Sequence, residues 1–323
     1  MTNRKPRLLC MVDLSGAREE FSALREVANV DCFPPSREHL HEVVDQYDAL
    51  WIHVDLRVDK EILDRAKRLR VINTASTGTD HIDVEAAHRR GIKVLSITRD
   101  YGLLNTFTAT AECAWMLVMS CQRHFRAATA HALNGLWKGE QFCGRQLAGQ
   151  TLGVLGIGRL GSMTCRFGTA FRMRVLGCDL KPFEFEGVEP ADFPTLLRES
   201  DVISIHIHMT PDNYRLFGDD ALNRMRPGSV LVNTSRGDII DELAVIRALN
   251  SGKLSAFGAD VVSDEWRKDM AGSPLIRYAR DHENVIITPH IGGNTTTSLW
   301  RARQFSAVKL LHYLRTGKEK TWE

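Results

Sequence analysis

Residues 151–179 read TLGVLGIGRLGSMTCRFGTAFRMRVLGCD. The stretch opens on an apolar strand, turns through Gly156-Ile157-Gly158-Arg159-Leu160-Gly161, continues as a helix, and closes on a second apolar strand that ends at Asp179. A strand, a GxGxxG turn, a helix and a terminal acid in that order specify a dinucleotide-binding unit far better than the glycines alone. Gly156 makes the tight turn, Gly158 lets backbone approach a pyrophosphate, and Gly161 lets the helix pack on the strand. The helix N-terminus offers N–H groups and a positive dipole end to phosphate. Asp179 stands where a carboxylate takes the adenosine ribose hydroxyls and repels a 2′-phosphate, so NAD(H) is expected in preference to NADP.

Working outward, 323 residues suggest two domains. Hydrophobic residues at 43%, charged residues at 25% and a net charge of +2 describe an ordinary globular chain, with no electrostatic case for nucleic acid or membrane. The basic start MTNRKPRLLCMVDL has too short an apolar run for a signal-peptide core and reads as a first strand. The seven cysteines, at 10, 32, 113, 121, 143, 165 and 178, form no CxxC pair. They read as reduced thiols of a cytoplasmic protein, and no zinc pattern is present.

Upstream, strands are expected at 7–12, 49–54, 71–75 and 93–97, with helices at 17–28, 60–69 and 84–90, Gly91 capping the last of these. That alternation implies a parallel α/β unit with no phosphate turn of its own. A helix is expected over 105–122, with Glu112 an isolated acid in it. Another should carry Arg123, His124, Arg126 and His131, before an arm at 134–146 that covers a neighbouring domain or embraces a second subunit. After Asp179, strands are expected at 202–207, 229–233, 256–262 and 285–288, between helices at 193–198, 218–224 and 241–251. A final helix at 297–316 shows Leu299, Ala302, Phe305, Val308, Leu311 and Leu314 at helical spacing and should pack on the first unit.

Three stretches fall at strand C-terminal ends, where open α/β sheets place ligands: NTSRG at 233–237, DVVSDE at 260–265 and TPHIGG at 288–293. They bring one guanidinium, several carboxylates and one imidazole. An arginine fork binds a carboxylate and polarises the neighbouring carbonyl. A histidine exchanges a proton near neutral pH, and a glutamate on its other nitrogen orients the ring and raises its pKa.

With LGVLGIGRLG at 152–161, SDVISIHIHMTP at 200–211, MRPGSVLVNTSRGDIIDE at 225–242, GADVVSDE at 258–265, ITPHIGG at 287–293 and NTASTGTDHID at 73–83, the chain resembles the D-isomer-specific 2-hydroxyacid dehydrogenases over essentially its whole length. The resemblance implies two doubly wound parallel-sheet α/β domains. A Rossmann NAD-binding domain (104–293) would be inserted in a flavodoxin-like substrate domain (1–103 plus 294–323). It implies a homodimer that interconverts a 2-keto acid and a D-2-hydroxy acid. Arg236, Glu265 and His290 would be catalytic, and the Thr77 and Gly78 amides would join Arg236 and His290 in holding substrate. Gly156, Gly158, Arg159, Leu160, Gly161 and Asp179 would bind the cofactor, with His206, Thr210, Thr234, Asp260 and Thr110 along its path. His208 and Trp266 stand where the family commonly has proline, and residues 267–283 are longer than in its shortest members. His53, Asp55 and Arg57 follow a strand, as a solvated loop or as part of the pocket. No regulatory segment is expected beyond residue 323, which argues against the long allosteric form of phosphoglycerate dehydrogenase. Two other readings carry the same motifs: an NAD(H)-sensing corepressor-type protein, and a dehydrogenase of a non-carboxylate substrate such as phosphite.

Overall fold

Apolar runs of three to six residues, each followed by a helix-length segment, have one economical solution: parallel strands joined by helical crossovers. The computed structural model describes residues 4–13 and 18–320; the expected helix start at Ala17 lies outside the described residues. The chain divides into two units, Met1–Phe107 with Thr295–Glu323, and Thr108–Asn294.

The first unit holds β1 (Arg7–Met11), β2 (Asn29–Cys32), β3 (Ala49–Ile52), β4 (Val71–Thr74) and β5 (Lys93–Leu95), all parallel, in the order β2-β1-β3-β4-β5. This is the flavodoxin-like order. β1, β3 and β4 are central and buried; 8–11 and 49–52 read as unbroken apolar runs, while β4, VINT, buries Asn73 and Thr74 as well. β2 is an edge strand of mixed polarity, NVDC, which the sequence did not betray.

The last helix, Thr296–Thr316, packs on helix Arg18–Val27 and on β4 and β5. Its buried row differs from the expected stripe. Ala302, Arg303, Ser306, Ala307, Lys309 and Leu310 are buried, while Leu299, Phe305, Val308, Leu311 and Leu314 are only half-buried. A stripe at a spacing of three drifts around a helix of 3.6 residues per turn and leaves the buried face. The polar members of the true row have partners. Asn73 Nδ2 donates to Ser306 Oγ at 2.8 Å, Arg303 pairs with Asp13 at 3.1 Å, and Lys309 Nζ reaches Asp100 Oδ2 and the Ser96 carbonyl, each at 2.7 Å.

The second unit holds β6 (Thr151–Leu155), β7 (Arg174–Cys178), β8 (Glu189–Pro190), β9 (Val202–Ile205), β10 (Ser229–Asn233), β11 (Leu254–Ala259) and β12 (Val285–Ile287). Their order is β12-β11-β10-β9-β6-β7-β8, again all parallel. This is the doubly wound dinucleotide order with one further strand, and the chain reverses direction across the sheet between β6 and β9. Helix Ala109–Gln122 lies against β10 and β11. A Cβ on Gly258 would meet Leu117 Cβ at 3.1 Å and Cys121 Sγ at 3.3 Å, which shows how closely helix and strand approach.

Several boundaries move. β11 starts two residues earlier than expected and stops at Ala259, because the buried Asp260 turns the chain with its carboxylate. Arg123 and His124 precede their helix, which runs Phe125–Leu133; His124 takes a left-handed φ of 49° and separates it from the helix before. Glu112 is exposed and accepts from the Thr108 hydroxyl at 2.5 Å. Within 267–283 the chain forms helix Pro274–Asp281, whose Leu275 and Ala279 join the core. Among the described residues no helix is long and apolar enough to cross a membrane.

Candidate active site in the second unit

The turn after β6 is built by what its glycines leave out. Gly156 has a φ of +92°, and a Cβ there would lie 2.7 Å from the His206 carbonyl oxygen at the end of β9. At Gly161 a Cβ would lie 1.8 Å from the Gly156 carbonyl oxygen, so only glycine lets helix Arg159–Ala170 begin this close to the strand. Gly158 differs: a side chain there would meet nothing within 4 Å. Its smallness opens the surface above the turn rather than relieving a clash inside it. The helix begins without a side-chain cap, so its first N–H groups keep the donor capacity that suits a pyrophosphate. Arg159 begins this helix, and burial lowers its pKa; Leu160 follows it.

Asp179 leaves β7 toward the same turn. Its Oδ2 accepts from the Ile157 N–H at 2.6 Å and its Oδ1 from the Lys181 N–H at 3.0 Å. The carboxylate is exposed beside the turn, at the rim of a hollow lined by Lys181, Phe183 and Pro190. Across the switch point, His206 Nε2 lies 2.9 Å from Ser204 Oγ, and burial lowers its pKa to about 4, so its ring is neutral at neutral pH. Thr210 donates its N–H to Asn213 Oδ1 at 2.8 Å, inside a small 3₁₀ turn. The backbone carbonyl of His208 takes the other end of Asn213 at 2.7 Å.

After β10, Asn233 shapes the arginine turn. It accepts from the Ser235 N–H and hydroxyl at 3.0 and 2.7 Å and donates to the Arg236 carbonyl at 2.8 Å. The Arg236 guanidinium donates to the Ser235 carbonyl at 2.7 Å. Gly237 then passes so near the next loop that a Cβ would lie 2.0 Å from the Val262 carbonyl carbon. The Thr234 hydroxyl oxygen is buried with no hydrogen-bond partner among the described residues, an unmet polar atom beside this turn.

The remaining two loops meet at the imidazole. His290 Nδ1 lies 2.5 Å from Glu265 Oε2. The Glu265 hydrogen bond and charge, with a smaller contribution from Asp260, raise the His290 pKa against the opposing effects of burial and Arg236. His290 itself sits at φ 52°, and Asp260 holds that backbone. Asp260 Oδ1 accepts from the Thr288 hydroxyl at 2.6 Å and the Ile291 N–H at 2.9 Å; Oδ2 accepts from the Gly292 N–H at 2.7 Å. A Cβ on Gly292 would also lie 3.2 Å from Thr110 Cγ2, which places Thr110 against the same loop. Trp266, beside Glu265, is partly exposed.

Sequence reading missed two supports. Asn233 stands inside the NTSRG stretch, where nothing in its neighbours marks it as the residue that shapes the turn. Glu242 is buried and takes the Ser263 N–H at 2.9 Å, fixing the loop that carries Glu265. It follows Asp241, which caps the helix by accepting from Leu243 and Ala244 at 3.0 and 3.1 Å. Two adjacent acids look alike in sequence, and only packing separates them.

Thr77 and Gly78 belong to the first unit, just past β4. Ser76 Oγ donates to the Gly78 carbonyl at 2.6 Å and Thr98 Oγ1 to the Thr77 carbonyl at 2.5 Å. With their carbonyls held, the two residues make a fixed loop. His53 and Asp55 follow the neighbouring strand β3 and pair at 3.0 Å; against the effect of burial, Arg37, the Ile62 N–H and, most weakly, Arg57 lower the Asp59 pKa.

Residues 115–292 match the family model described as D-isomer specific 2-hydroxyacid dehydrogenase, NAD binding domain. Glyoxylate reductase of Thermococcus litoralis is 37% identical over 81% of this chain and 78% of its own length. D-3-phosphoglycerate dehydrogenase of Archaeoglobus fulgidus is 36% identical over 80% of this chain, which spans about half (48%) of that protein. The crystal structure of D-lactate dehydrogenase from Aquifex aeolicus, complexed with NAD and lactic acid, superposes with a TM-score of 0.83 at 27% identity, covering 96% of each chain. The chain belongs to the D-isomer specific 2-hydroxyacid dehydrogenase family and is an oxidoreductase of that class built on an NAD-binding domain.

Proposed function

We propose that the chain interconverts a small 2-keto acid and its D-2-hydroxy acid, with Thr108–Asn294 as the cofactor domain and the remainder as the substrate domain. The observation that carries this is the short Glu265–His290 hydrogen bond. With Nδ1 engaged, Nε2 is the nitrogen left to exchange a proton with the substrate oxygen. The bound nicotinamide supplies or accepts the hydride. His290 gives a proton to the carbonyl oxygen during reduction and removes it during oxidation. Glu265 stabilises the protonated ring, and Arg236 clamps the carboxylate and polarises the carbonyl. The amides of Thr77 and Gly78 take the other end of the carboxylate.

The open surface over Gly158, the uncapped helix start and the unmet Thr234 hydroxyl fit a bound dinucleotide, and Asp179 favours NAD(H) over NADP(H). Gly156, Arg159, Leu160 and Gly161 form the phosphate turn; Thr110, His206, Thr210 and Asp260 are assigned along the cofactor's path. Arg57, in the segment after β3, would suit a second acidic group on the substrate. Leu133 and Trp137, 83% and 91% exposed, favour a homodimer formed through residues 125–146. Seven free thiols suit a cytoplasmic setting.

The test is a panel of glyoxylate, pyruvate and hydroxypyruvate with NADH and with NADPH, followed by absorbance. NADH-dependent turnover is expected, and His290→Ala and Arg236→Ala should each lower it about 10²- to 10⁴-fold. Undiminished turnover in His290→Ala, or NADH binding with no turnover of any keto acid, would sink the assignment.

A further inference from the structure

We propose that Cys10 and Cys32 form a peroxide-sensitive thiol pair that closes reversibly to a disulfide between β1 and β2. The two residues are register partners on adjacent parallel strands. Register partners in a sheet lie about 4.8 Å apart and project from the same face, which is within the range of Cα separations that a disulfide spans. The Cys10 thiol donates to the Val12 carbonyl at 3.9 Å, and each of the two thiols shifts the pKa of the other. The pair is also asymmetric. Cys10 is fully buried, and Cys32 is exposed on the edge strand.

That asymmetry divides the chemistry. The neighbouring Cys10 thiol, helped by the charge of Arg25, lowers the Cys32 thiol to about 7 against the opposing effects of burial and Asp31. Cys10 is pushed well above the ordinary thiol range by its Cys32 neighbour and by burial. Burial pushes Cys113, Cys121 and Cys165 up to about 11, 12 and 12, so they remain protonated. Cys32 is therefore the attacking thiolate, and Cys10 the thiol that resolves it. The oxidant is a hydroperoxide. Cys32 sulfur attacks its terminal oxygen, the O–O bond breaks, and Cys32 becomes a sulfenic acid with release of water or an alcohol. Cys10 sulfur then displaces the sulfenic hydroxyl, its proton leaves with that hydroxyl as a second water, and the S–S bond forms. The two thiols lose two electrons and two protons in all, and a dithiol returns both.

The experiment uses the reduced full chain, treated natively with a few equivalents of hydrogen peroxide, quenched with catalase, then unfolded and alkylated. The expected result is a mass loss of two hydrogens and a cross-linked species joining tryptic peptides 8–18 and 26–37, released by dithiothreitol. Cys32 should lose its free thiol about tenfold faster than the exposed Cys143. In Cys10→Ser the sulfenic acid on Cys32 should persist and be captured by a cyclic 1,3-diketone; in Cys32→Ser the cross-link should vanish. Oxidation of Cys143 first, with Cys10 and Cys32 both still alkylated, would overturn the proposal. So would a cross-link that forms only after unfolding. The wild-type peptide map decides the matter even if a variant fails to fold.

Discussion

Asp260 and Asp100 are both buried, at 1% and 0% exposure, and both follow the C-terminal end of a parallel strand. They are held in opposite ways. Asp260 is met by three neutral donors, from Thr288, Ile291 and Gly292, all within 32 residues of it. Asp100 meets a cation, the equally buried Lys309, from 209 residues away. Neutral backbone donors at fixed angles dictate the shape of a loop. A lysine with four rotatable bonds dictates much less geometry, but it requires that its helix be present. The first arrangement shapes the loop that carries His290, and the second fastens the final helix to the first sheet.

The sharpest way to break the comparison is Lys309→Met. It leaves a buried carboxylate without its cation and should cost about 3–5 kcal/mol of stability, read from urea unfolding. Lys309→Met combined with Asp100→Leu should recover most of that loss, because a well-packed apolar pair often replaces a buried ion pair at little cost. A double variant no more stable than the single one would show that Asp100 is sustained by its other contacts.

Asp260→Asn removes one acceptor and sets an N–H₂ group against an N–H or hydroxyl. The expected loss is about 10²-fold in kcat with a stability change of about 1–2 kcal/mol, since the fold does not hang on this loop. Equal loss through KM alone would mean that Asp260 binds rather than positions. Glu265→Gln is milder, about tenfold near neutral pH. Glu265 raises the His290 pKa, so its charge keeps the ring protonated to higher pH. Without it, the alkaline limb of keto-acid reduction should move toward acid; an unmoved limb would detach Glu265 from the proton transfer.

The same contrast explains what was legible in the chain. The turn at 156–161, Asp179 and the loops bearing Arg236, Glu265 and His290 are each specified by a few neighbouring residues, and strand periodicity alone puts them at one edge of one sheet. The roles of Asn233 and Glu242 were half-legible: the right residue types stood in the right stretches, but burial selects among them. The Asp100–Lys309 pair, the polar row of the last helix and the edge strand β2 were not legible. A lysine on an amphipathic helix is ordinarily solvated, and a partner 209 residues away leaves no local trace. The register that joins Cys10 to Cys32 is of the same kind, since it exists only once β1 and β2 pair.

His206 sharpens the comparison from a third side, as a half-buried histidine whose ring is bonded to a neutral hydroxyl, Ser204. Asp100 is met by a cation, whereas burial holds the His206 pKa down at about 4, against 6.5 for an ordinary imidazole. The unfolded chain therefore binds a proton that the folded chain refuses between those two values. The contribution to stability is whole above about pH 6.5 and is lost as pH falls toward 4, about 2 kcal/mol of it by pH 5. Replacing His206 with glutamine, which keeps a polar group near Ser204 and cannot charge, should flatten that part of the acid limb in a thermal-unfolding series from pH 7 to pH 5. The whole-chain loss in acid has other contributors, so the informative quantity is the difference between the two slopes. Parallel slopes would mean that the ring gains water or a counter-charge before it protonates, and that burial at the end of β9 is less strict than at Asp100 or Asp260.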